Sequence, residues 1–193
     1  MQQIIAATNN PGKIRELKEI IKNYDIISLK EINCSIEVKE DKDTFEENAL
    51  LKAGQIAEAT NKICIADDSG LCIDALNGFP GVKTARFLGR NKTQEERNCY
   101  LLEKLKEVEK SKRTACIITC IALVEPNGRE KVFTGKLQGI IAENRRGKNG
   151  FGFDEIFELE NGKTLAEISS EEKNKISSRS LALKKLEKYL EGK

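Results

Sequence analysis

Apolar positions recur along this chain with two different periods, and the changes of period mark out its elements. Residues 3–8, QIIAAT, form an apolar run that reads as a strand. The polar stretch NNPGK follows, and then Ile14, Leu17, Ile21 and Tyr24 return at helical spacing. Asn10 is placed to cap that helix, and Pro11 suits its first turn. Residues 25–30 read as a second strand. A helix is predicted over TFEENALLKAGQIAEAT, with Thr44 and Glu47 as a capping box and Phe45, Ala49, Ala53, Ile56 and Ala57 as its apolar stripe. Thr44, Asn48 and Lys52, four residues apart, line up on one polar face.

The alternation resumes at residues 62–66, a buried strand that runs into two adjacent aspartates. NGFPG (77–81) is a turn, and residues 93–107 form a helix opened by a second capping box, Thr93 with Glu96. TACIITCIALVE (114–125) is a long strand, and PNG turns it into 131–143 as a hairpin. NRRGKNGFGFDE is a glycine-rich loop. The last helix follows SSEEK, with Ala182, Leu186, Tyr189 and Leu190 on one face. The pattern predicts one α/β domain over 1–193, a long mixed sheet carrying helices on its faces.

Composition narrows the chemistry. Lys and Arg number 33 against 31 Asp and Glu, a net charge of +2, which gives no general attraction to nucleic acid or membrane. No apolar run approaches the ~18 residues of a membrane span, and a cytoplasmic protein is expected. The six cysteines lie mostly in apolar runs and form no Cys-x-x-Cys pair, so they read as small buried hydrophobes in a reducing compartment. The chain has no histidine. Triads and dyads built on that residue are excluded, and acid–base work falls to carboxylates, lysine, tyrosine, cysteine or metal-bound water. Apart from cysteine, any metal would sit on oxygen, which suits magnesium or manganese.

Four stretches concentrate chemistry. TNNPGK (Thr8, Asn9, Asn10, Pro11, Gly12, Lys13) joins strand to helix, where free backbone N–H groups and a lysine bind phosphate; the plainer reading is an ordinary capped turn. ADDSG (66–70) is either an Asx turn or an acidic centre able to hold a metal and accept a proton. If the strand continues through it, Asp67 and Asp68 point to opposite faces. KNGFGFDE (148–155) offers an aromatic face beside flexible glycines, or a tight turn around a core phenylalanine. EEKNKISSRS (171–180) places Lys173 and Arg179 near a helix start, as readers of a base or as a solvated face.

In order and wording, ATNNPGK (7–13), TFEENALLKA (44–53), ADDSGL (66–71), GFPGVKTARF (78–87), GFGFD (150–154) and EEKNKISSRS (171–180) resemble the inosine triphosphate pyrophosphatase family. The resemblance implies an elongated α/β molecule with two lobes around a nucleotide-binding cleft. It implies hydrolysis of ITP, dITP or XTP to the monophosphate and pyrophosphate, with water attacking the α-phosphorus and magnesium (or manganese) required. Asp68 matches the general base and metal-linked carboxylate, Glu40 a second metal ligand, and Asp67 a support. Thr8 to Lys13 and Lys52 would hold the triphosphate, and Ser69 would touch substrate. Phe151 would stack on the purine within Gly152, Phe153 and Asp154, with Asp154, Lys173 and Arg179 contacting the base. A homodimer is implied, with no nucleic acid or membrane partner.

The chain departs from the family pattern in three places. Ser177-Ser178-Arg179 stands where the family has Ser-His-Arg, so a histidine that helps read the base is missing at Ser178. Phe153-Asp154-Glu155 replaces an aromatic-Asp-Pro turn, and Lys148-Asn149 replaces a smaller pair. Two alternatives stay open: a related pyrophosphatase for modified pyrimidine or methylated nucleotides, and a non-catalytic nucleotide- or RNA-binding module.

Overall fold

The first apolar run is short because the chain turns at once after it: Thr8 N–H donates back to the Ala6 carbonyl (2.8 Å), which ends β1, Gln3–Ala6. The computed structural model describes residues 1–89 and 91–192. Asn10 then caps α1, Pro11–Ile20, its Oδ1 accepting from Gly12 N (2.9 Å) and Lys13 N (3.4 Å), a cap worth about 1 kcal/mol. β2 spans Asp25–Ser28. It stops short of the expected residue 30 because Glu31 folds back to accept from both the N–H and the hydroxyl of Ser28.

α2 covers Phe45–Thr60. Thr44 caps it, but only half the expected box forms: Thr44 Oγ1 accepts from Glu47 N and donates to the Glu47 carboxylate. Asn48 is not on a solvated face. It is fully buried and holds Lys42 by both its N–H and its carbonyl, which anchors the coil ahead of the helix. β3, Cys64–Ile73, runs straight through the two aspartates, so the turn reading of ADDSG is excluded. α3 (Gln94–Leu105) has the full capping box. β4 (Thr114–Val124) and β5 (Glu130–Ile141) follow, then the short β6, Phe157–Glu158. The C-terminal segment is two helices, α4 (Ser170–Ile176) and α5 (Ser178–Glu191), because Ser177 between them is extended.

The strands form one mixed sheet in the order β2-β1-β3-β4-β5-β6. β1 pairs in parallel with β2 (Ile4 opposite Ile26) and with β3 (Ala6 opposite Ile65), and β5 is antiparallel to β6. The residues group into two compact units, divided within β3 after Asp68, within β4 before Thr119 and within β5 after Gly135. The first unit holds residues 1–68, 119–135 and the chain from Arg179. Its core packs Ile4, Ala6, Ile65 and Ile121 of the sheet against Leu17 and Ile21 of the α1 segment and Ala182, Leu186 and Leu190 of α5. The second unit packs Leu71, Ile73, Ile141 and Phe157 against Leu101 and Leu105 of α3. The cysteines are all free thiols, but only Cys64 and Cys120 are fully buried; Cys99 is exposed on α3, off the stripe of Leu101 and Leu105. Burial pushes the Cys64 thiol up to about 12. No helix among the described residues is long and apolar enough to cross a membrane.

Candidate active site

In the first unit the strand order reverses at β1, which has β2 on one side and β3 on the other. Crevices at the carboxyl ends of strands at such a switch point are the usual ligand sites of α/β sheets. The loop Thr8–Asn10 leaves β1 there. Because Ala6 lies opposite Ile65, Thr8 comes level with Asp67, two residues further along β3.

Strand alternation separates the two aspartates. Ile65, two residues before Asp67, packs with α1 and α5, and Asp67 emerges on that same side. Its carboxylate takes Lys13 of α1 (2.8 Å) and Arg179 of α5 (3.1 Å). Glu16, three residues along α1 from Lys13, is the second partner of Arg179 (3.4 Å). Burial pushes the Asp67 carboxyl up, but Lys13, Arg179 and, more weakly, Lys52 outweigh it and hold the group well below the usual carboxylate range. Burial likewise pulls the Arg179 guanidinium down, while Asp67 and Glu16 carry it above its ordinary value.

Asp68 points to the opposite face of β3. That face of the sheet is covered by α2, where Ile5 lines a cavity with Ala59 and Thr60. Lys52 of α2 donates to the Asp67 carbonyl (2.9 Å) and pairs closely with Glu40. Thr8, Asn9, Lys52 and Ile56 line a cavity of about 250 Å3. The loop after β1 and Lys52 therefore share a concave surface. One oxygen of Asp68, Oδ2, is shut off from solvent. Ser69 follows, half-buried.

The loop itself differs from an open phosphate cradle. The N–H groups of Gly12 and Lys13 are taken by the Asn10 side chain, and Asn10 N donates to Thr8 Oγ1 (3.1 Å). Its backbone donors are largely spent on the cap, so side chains carry what it offers a ligand.

The second unit holds the glycine-rich loop. Asp154, almost fully buried, accepts from Phe151 N (2.8 Å) and pairs closely with Lys173 of α4. The Lys173 ammonium lies 4.2 Å from the centre of the Phe151 ring. That ring is 64% exposed, whereas Phe153 turns inward and stacks on Phe87 with centroids 6.3 Å apart. Of the two phenylalanines, only Phe151 is available as a platform. Ser178 is buried at the start of α5.

The profile of the Ham1 family matches residues 4–189. The chain is 48% identical over 195 residues to the dITP/XTP pyrophosphatase of Bacillus subtilis, covering 100% of this chain and 98% of that one. The solved Staphylococcus aureus Ham1 protein superposes with a TM-score of 0.93 at 43% identity, over 99% of both chains. The HAM1 protein of Coxiella burnetii gives 0.94 at 38% identity, over 100% of both. This chain belongs to the Ham1 family.

Several site residues of this Ham1 chain take places their spacing did not indicate. Lys13 and Arg179 meet at Asp67, so Arg179, expected at the base, is engaged by carboxylates of the first unit. Glu40, expected as a metal ligand, is held by Lys52. Glu16 was missed, although its offset of three from Lys13 put both on neighbouring turns of one helix face. Among the described residues no three Asp, Glu or Cys side chains gather into a metal cluster. Magnesium commonly uses one or two carboxylates, water and substrate phosphates, so oxygen donors of the kind Asp68 and Glu40 carry suit an ion that arrives with a triphosphate.

Proposed function

We propose that this Ham1 protein hydrolyses non-canonical purine nucleoside triphosphates, dITP, ITP and XTP, to the nucleoside monophosphate and pyrophosphate. The carrying observation is full-length likeness to a dITP/XTP pyrophosphatase, and the cavity at the switch point that Thr8, Asn9 and Lys52 line is consistent with it.

Thr8, Asn9 and Lys52 receive the phosphates on the α2 face. Lys52 exchanges its pairing with Glu40 for a phosphate oxygen. Glu40 and Asp68 would hold magnesium, which when bound neutralises phosphate charge. Asp68 accepts a proton from the attacking water; the new bond forms at the α-phosphorus, and the bond to the bridging oxygen of pyrophosphate breaks. Lys13 and Arg179, fixed on Asp67, stand behind the loop as positive charge. Phe151 supplies the stacking face for the purine. The Lys173 ammonium donates to the 6-oxo group, whereas adenine's amino group, itself a donor, offers it no acceptor, a mismatch that costs about 10²-fold or more.

Pyrophosphate release from ITP, dITP, XTP, dATP, dGTP and dUTP with magnesium tests the reading. The first three are expected to turn over fastest. Asp68→Asn should lower kcat by about 10²-fold or more while nucleotide binding persists. Release from none of the six, or full kcat in D68N, would overturn it.

A further inference from the structure

α3 lies outside the phosphate chemistry, yet two consecutive polar residues on it are buried. Arg97 is 6% exposed and Asn98 is 1% exposed. Such burial needs hydrogen-bond partners, and both residues find them in loops rather than in their own helix alone. The Arg97 guanidinium donates to the carbonyls of Gly89 (2.7 Å) and Ala85 (3.3 Å) and sits 5.7 Å from the Phe87 ring. Asn98 Nδ2 donates to the Gly152 carbonyl (3.1 Å), and its Oδ1 accepts from Gln94 Nε2 (3.0 Å).

Gly152 is the residue after Phe151. Gly150 and Gly152 both sit at positive φ (76° and 67°), so the backbone reverses on each side of the ring. The Asp154 carboxylate fixes the N–H of Phe151 and the Asp154 N–H reaches the Phe151 carbonyl (3.3 Å), while Asn98 fixes the carbonyl of the following residue, Gly152. The ring is therefore exposed while the backbone on both sides of it is held. Phe153 closes the arrangement by stacking on Phe87, the ring beneath Arg97.

We infer that Asn98 is a positioning residue for base recognition: from α3 it sets the height and tilt of the Phe151 platform and so governs affinity for the base without touching substrate. The inference rests on the reading of Phe151 as the purine's stacking face. Sequence spacing does not mark Asn98, because its partner carbonyl lies 54 residues further along the chain.

Steady-state hydrolysis of ITP by the full-length wild type, Asn98→Leu, Phe151→Ala and the double variant tests it. N98L keeps the number and branching of the side-chain heavy atoms but leaves the Gly152 carbonyl without its donor. It should raise KM about tenfold with kcat within about twofold, since the phosphates and water attack are untouched. In the F151A background N98L should add little, because a residue that works through the ring has nothing left to position. Asn98→Ser is run beside N98L so that a poorly folded leucine variant does not decide the matter, and circular dichroism and Tm are recorded for all. A merely structural role would lower Tm and active fraction and leave KM unchanged, which overturns the inference. So does an equal N98L penalty on KM with and without Phe151. If F151A itself leaves KM unchanged, the platform reading fails and takes the inference with it; if F151A raises KM and the position-98 variants do not, only the inference fails.

Discussion

At the scale of residues, Asp67 and Asp68 show how much a single peptide step decides. The strand period alone sends them to opposite faces, and that was legible. Which helix would meet which carboxylate was not, since it depends on α1 and α5 closing one side of the sheet and α2 the other. The consequence is that Asp67 serves a cation pair. Its folded pKa is depressed, so the stability it contributes is present above its unfolded value of about 4 and is lost as pH falls through the depressed value. Asp67→Asn leaves Lys13 and Arg179 half-buried without that charge. It should cost about 3 kcal/mol at neutral pH and flatten the acid limb of the stability curve, measured by urea unfolding from pH 7 to pH 3. An unchanged neutral stability would show that the pair contributes nothing net.

At the scale of elements, local signals were read well where one helix turn contains all the partners. Asn10 and Thr93 with Glu96 appear as expected, and Ala49, Ala53, Ile56 and Ala57 of the α2 stripe are buried, Phe45 only in part. Signals failed where a side chain outside the element intervenes: Glu31 ends β2 early, and buried Asn48 serves the preceding coil. The glycine-rich loop is an intermediate case. Its glycines announced an unusual backbone but not which of them, Gly147 and Gly150, leave no room for a side chain. A Cβ at Gly150 would lie 2.0 Å from Asp154 Oδ2, at φ +76°. Gly150→Ala should therefore push the Asp154 carboxylate off Phe151 N and Lys173, raise KM for ITP several-fold and lower stability by about 1–3 kcal/mol. Gly152, with open space where its Cβ would be, is the control: Gly152→Ala meets only the φ penalty. Equal effects of the two substitutions on KM would mean that contact with Asp154 is not what matters.

At the scale of the whole molecule, the order of motifs along the chain was informative and the order of strands across the sheet was not. β1 pairs with β3 across about 60 residues, a partnership no local period records, and with it goes the position of the switch point. Composition, by contrast, spoke for the entire chain: without histidine, a catalytic metal falls most naturally to oxygen. The described residues gather no three-carboxylate cage, and Glu40 is paired with Lys52. A site built this way should recruit magnesium only together with phosphate. Titration of the nucleotide-free protein with magnesium chloride, followed by calorimetry, should show no saturable site tighter than about 1 mM. The same titration in the presence of a non-hydrolysable ITP analogue should show one ion per chain at markedly higher affinity. Lys52→Met should raise the affinity of the nucleotide-free protein for magnesium, because Glu40 then loses its ammonium partner, and weaken the affinity with the analogue present, because the phosphate loses it too. Those opposite shifts follow only if Lys52 is exchanged between the two anions. A K52M variant in which both affinities move the same way would place Glu40 outside the metal's reach and leave Asp68 as its carboxylate.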